Sequence, residues 1–98
     1  MGDEEAGALE VQVGGEIDLA NAHALGGDLC HSVDRASERL IVDLSEVTFL
    51  DSSAMGMMLK VHNYAMACQK RVTWWNIQPT PNRAIKLMAL DQVLDFAP

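Results

Sequence analysis

The stretch Arg39-Leu40-Ile41-Val42-Asp43-Leu44-Ser45-Glu46-Val47-Thr48-Phe49-Leu50-Asp51-Ser52-Ser53-Ala54 decides the fold. Leu40-Ile41-Val42 is a run of three consecutive aliphatics, two of them β-branched, the signature of a strand buried on both faces. Such strands sit centrally and run parallel to a neighbour. Val47-Thr48-Phe49-Leu50 reads as a second short apolar run. At Asp51-Ser52-Ser53 the period changes from strand to helix. From Ser53 to Gln69 polar Lys60, Asn63 and Lys70 gather on one side at 100° per residue. The apolar residues of that helix cover an arc of roughly 220°, wider than the ~100° stripe that core packing needs. The surplus arc predicts an exposed apolar edge, and Met57 and Tyr64, beside Lys60, lie on it.

Upstream, Leu9-Glu10-Val11-Gln12-Val13 alternates apolar and polar residues, which gives a half-buried strand closed by Gly14-Gly15. After Glu16-Ile17-Asp18-Leu19, Asn21 is placed to cap a helix whose inner stripe is Leu25, Leu29 and Val33. Gly26 and Gly27 interrupt that helix, each at a cost of about 1 kcal/mol against Ala; close packing against the sheet would explain them. Val72-Thr73-Trp74-Trp75-Asn76 is rich in β-branched and aromatic residues and reads as a strand with one tryptophan inside and the other partly exposed. Thr80-Pro81 predicts the start of a third helix, with Ala84, Ile85 and Met88 facing inward. Val93 to Phe96 is a short final strand. The alternating order of strand and helix predicts one α/β domain built on a mainly parallel, mixed sheet of about four strands packed by helices.

Composition narrows the function. The chain has 98 residues, 49% of them hydrophobic, enough for one compact domain. Fourteen Asp and Glu oppose seven Lys and Arg, for a formal net charge of -7. The densest basic patch is Lys70-Arg71, with Arg83 and Lys86 further on. Nucleic acid and anionic membrane surfaces both demand clustered positive charge, so neither is an expected partner. Another protein is. Met1-Gly2-Asp3-Glu4-Glu5 has neither the basic start nor the apolar run of a signal peptide, and the apolar stretches are too short for a bilayer, so a cytoplasmic protein is expected. Cys30 and Cys68 lack zinc-site spacing and read as two reduced, half-buried thiols. His23, His31 and His62 show neither metal-ligand spacing nor a tie to Ser52 as a hydrolase would need. No metal, cofactor or enzymatic activity is expected.

Val42 to Ala54 resembles the central signature of STAS domains, in which a strand and a short link lead into Asp-Ser-Ser-Gly at the start of a helix. Gly14-Gly15-Glu16-Ile17-Asp18 is similar to the family's Gly-Glu-Leu-Asp element, and Thr80 to Phe96 to its third helix and last strand. The resemblance spans about Leu9 to Phe96. It departs at Ala54, where the family usually has Gly; the family's first edge strand is expected to be short or missing, and its terminal helix to be missing. The resemblance implies a STAS-like fold and the role of an anti-sigma factor antagonist. It implies phosphorylation of the first serine of the motif, Ser52, by a partner anti-sigma factor serine kinase, and reversal by a phosphatase. Asp51, Ser53, Met57, Lys60 and Tyr64 would then form the partner surface, with Ser53 also capping the helix. Ser52 or Ser53 also reads more plainly as nothing beyond a helix cap. The alternative within the same resemblance is an accessory subunit of an ABC-type lipid transport complex, docked on an ATPase subunit with no phosphate involved.

Overall fold

A computed structural model describes residues 7–97; the acidic start read from Met1 to Glu5 lies outside them. The elements are β1 (Ala8–Ile17), α1 (Ala22–Arg35), β2 (Arg39–Leu50), α2 (Ser52–Ala67), β3 (Arg71–Trp75), α3 (Pro79–Leu87), a single 3-10 turn (Leu90–Gln92) and β4 (Asp95–Ala97). The strands stand side by side in chain order, and all three pairings are parallel. The α/β architecture is the expected one, and among the described strands the pairing is parallel throughout. β2 is internal, between β1 and β3.

Chain order has a physical consequence. Parallel crossovers are right-handed, so strands laid down in one direction place every connecting helix on the same face. Burial on β2 follows: Leu40, Val42 and Leu44 are buried, whereas Arg39, Ile41 and Asp43 are half-buried. The expectation that Arg39–Leu44 is buried on both faces is therefore corrected. Its three aliphatics include Ile41 on the open face, where Gln12 donates toward Asp43 and Thr73 donates to Asp95. Trp74 is fully buried beneath the helices and its neighbour Trp75 half-buried on the other side, as the alternation requires.

The two apolar runs of the central stretch belong to one strand. Against β1, β2 carries an extra residue between Asp43 and Glu46 and another between Val47 and Phe49. Each bulge switches which residues face inward. Buried positions therefore step from Leu44 to Val47 to Leu50 rather than by twos. Phe49 is left 46% exposed. On β1 the matching positions are Gly14 and Gly15. A Cβ at Gly14 would come within 3.0 Å of Glu46 Cβ, and Gly15 has φ +79°, a conformation that glycine adopts without penalty. The pair thus continues the strand instead of closing it at Val13.

Helix α3 begins two residues earlier than Thr80-Pro81 suggests, with Pro79 in its first turn and Gln78 before it. Its inner face is Pro81 and Ile85, while Met88, expected inside, is exposed at the C-terminal end.

Candidate functional site at the C-terminal end of the central strand

The site lies where β2 hands over to α2. Leu50 is buried and fixes the strand end; Asp51 follows in extended backbone, and Ser52 is already the first residue of the helix. Asp51 uses both carboxylate oxygens. Oδ1 accepts from the N–H of Ala54 at 3.0 Å, and Oδ2 accepts from the N–H of Leu19 at 3.2 Å. Its own N–H donates to the Ile17 carbonyl at 3.3 Å. One residue therefore caps α2 and ties down the β1–α1 loop. This corrects the assignment of the cap to Ser53. A cap needs non-helical backbone ahead of the first turn, and Ser53 is already inside it.

The loop held by Asp51 is braced internally. Asp18 Oδ1 accepts from the N–H of Ala20, Asn21 Oδ1 accepts from the N–H of Asp18, and Asn21 Nδ2 donates to the Glu16 carbonyl. Asn21 stands at the helix boundary, as expected, but its side chain folds back on the loop instead of capping α1. The braced loop presents Leu19, 79% exposed, beside the start of α2. Phe49 stands at the same end of the sheet. These two apolar residues escape the sequence reading, because neither a loop residue nor a residue after a bulge obeys a regular period.

Ser52 is exposed, and its hydroxyl makes no hydrogen bond among the described residues. Ser53 is half-buried at the mouth of a groove between α1 and α2. The side of α2 that faces α1 carries Ser53, Gly56, Met57 and Lys60. Met57 is only 6% exposed, so its expected exposure is corrected. It packs against α1 at Gly26, where even a Cβ would come within 2.9 Å of Met57 Cγ. Only the Met57 part of the surplus apolar arc of α2 is covered by its neighbouring helix; Tyr64 and Met66 stay exposed. Lys60 remains exposed on the groove rim.

Tyr64 lies far from Ser52, about 18 Å along α2 at 1.5 Å per residue. Its hydroxyl donates to Asp34 Oδ1 at 2.6 Å, and that bond is the main reason its phenol is pushed up to about 12. Lys70 Nζ donates to the Val33 and Asp34 carbonyls at the end of α1. Asp51, Ser52, Ser53 and Lys60 thus share the Ser52 end and the groove, while Tyr64 belongs to a latch at the opposite end. Cys30 and Cys68 are free and half-buried, and burial pushes the Cys30 thiol up. Among the described residues no three His, Cys, Asp or Glu side chains are placed to hold a metal, and no helix is long and apolar enough to cross a membrane.

Fold and site define a class: a small domain with a parallel sheet, helices on one face, and an exposed serine where the central strand meets a helix. The chain belongs to the STAS domain family, since the family described as "Mlab, STAS domain" matches residues 2–95. A STAS-domain containing protein of Pseudomonas aeruginosa is 29% identical over 89 residues, covering 91% of this chain and 87% of that one. The crystal structure of an anti-sigma factor antagonist from Mycobacterium paratuberculosis superposes with a TM-score of 0.82 at 28% identity, over 96% of this chain and 80% of that one. The unphosphorylated anti-sigma factor antagonist SpoIIAA shares the fold, with a TM-score of 0.74 at 18% identity over 93% of this chain and 80% of its own.

Proposed function

We propose that the protein is a regulatory binding module of the anti-sigma factor antagonist type, switched by phosphorylation of Ser52. Unmodified, it binds an anti-sigma factor serine kinase; modified, it is released until a phosphatase restores it. The observation that carries this reading is the exposed, unengaged hydroxyl of Ser52 on the first turn of α2. Asp51 supports it by taking over the cap, which leaves Ser52 without a structural duty. Helix N-termini leave N–H groups without intrahelical acceptors and favour negative charge, so the fold tolerates a phosphate there. Ala54, the departure from the family's glycine, is fully buried with its methyl turned into the core, so it does not obstruct the approach to Ser52. The existence of SpoIIAA in phosphorylated and unphosphorylated forms on the same fold is in keeping with the reading.

The partner surface that fits the geometry is Ser52 with Leu19 and Phe49, the exposed apolar residues at this end of the sheet. Phosphate would add about -1.5 to -2 charge beside Asp51. That charge would have to be desolvated at the interface, and binding would weaken. Affinity capture from the native host tests this. A kinase should be recovered with the wild-type protein and lost with Ser52→Asp. Recovery of a transporter ATPase subunit, equally with both proteins, would replace this reading with that of an accessory subunit.

A further inference from the structure

The groove between α1 and α2 has a volume of about 480 Å³, within the range of small-molecule sites. Gly26 and Gly27 form one wall, and Gly56, Met57 and Val61 the other, so the body of the groove is apolar. It runs from Ser53 to Lys60, about 10 Å at 1.5 Å per residue. The charge at its rim runs against that of the whole protein. Acids outnumber bases fourteen to seven in the chain, yet no Asp or Glu lines the groove, and Lys60 and His23 do. Lys70, the nearby lysine, is committed to the carbonyls at the end of α1. Lys60 makes no hydrogen bond or ion pair among the described residues.

We propose that this groove binds a linear amphiphilic carboxylate of medium chain length, with the alkyl chain along the glycine walls and the carboxylate at Lys60. An apolar slot of this length takes an extended alkyl chain, and the solitary cation selects an anionic head over a neutral or cationic one. Aromatic and nucleotide ligands offer no match, because none of the lining side chains is aromatic apart from the exposed His23. Binding does not require phosphate on Ser52. The occupant would adjoin Ser53 and Leu19, next to the candidate partner surface.

The test is a titration of the 15N-labelled protein with octanoate, followed by amide shifts, with octylamine as the matched control. Saturable shifts centred on Gly26, Gly27 and Gly56 are expected, with octylamine weaker by about fivefold, the scale of one exposed charge. A Cβ added at Gly56 or at Gly27 meets nothing within 4 Å, so Gly56→Leu and Gly27→Leu fill the groove without a clash at that atom. Each should abolish saturable octanoate binding while the remaining spectrum stays that of the folded protein. Should one variant fail to fold, the other carries the test. Lys60→Gln should weaken octanoate by about two- to fivefold, the scale of an exposed ion pair. Shifts that never saturate, shifts centred elsewhere, equal binding of octylamine, or full binding by a folded leucine variant would overturn the proposal.

Discussion

The two ends of α2 are built from similar materials and do opposite things. At its start, one carboxylate, Asp51, is consumed in holding backbone N–H groups, and the neighbouring hydroxyl of Ser52 is left free. Toward its end, another carboxylate, Asp34, engages the hydroxyl of Tyr64, and Lys70 closes over the adjacent carbonyls. One end offers a hydroxyl to solvent on a rigid frame; the other ties its hydroxyl into the packing of two helices. Exposure alone therefore does not mark a free hydroxyl; its hydrogen bonds do. Ser52 and Tyr64 are both exposed, but only Ser52 is unengaged.

The largest effect is expected at Asp51. Asp51→Ala removes the cap of α2 and the anchor of the Leu19 loop together. A loss of about 1–2 kcal/mol in unfolding free energy is expected, measurable by urea titration. An unchanged midpoint would mean that Asp51 does not frame the site.

At the other end the prediction is a titration. The Tyr64 phenol is raised to about 12 by its bond to Asp34. The neutral phenol is thus favoured by the fold, and its contribution is fully present below the unfolded value near 10. It is lost as pH rises through about 12. Ultraviolet titration of phenolate should show the single tyrosine ionising late, and Asp34→Asn should bring it earlier. Identical curves would show that the latch does not form.

The smallest effect is expected at Ser53. Since Asp51 holds the cap, Ser53→Ala should change stability by no more than about 0.5 kcal/mol, the range of ordinary surface substitutions. A loss near 1 kcal/mol would return the cap to Ser53.

These positions also show how far the residues alone can be read. Leu40 and Val42 declare an internal strand because burial is written in their own side chains. The bulges of β2 are not declared, because Ser45-Glu46 looks like a turn until the register with Gly14 and Gly15 is known. The cap is ambiguous in Asp51-Ser52-Ser53, where all three residue types cap helices well and only the backbone chooses among them. Met57 is read as exposed because a helix considered alone cannot show that α1 lies over it, although Gly26 carries the trace of that contact. Leu19 gains its position from a hydrogen bond to a residue 32 places away, which no local pattern encodes. The location of Ser52 was legible as a strand-to-helix junction. Its freedom became visible only with the partner of Asp51.

Locating the phosphate decides whether Ser52 is the proposed switch. The protein is incubated with ATP and the anti-sigma serine kinase proposed as its partner, and the modified residue is identified by mass spectrometry, with Ser52→Ala in parallel. A single phosphate on Ser52 is expected, and none on the folded Ser52→Ala protein. Phosphate on Ser53, or on neither serine, would contradict the account.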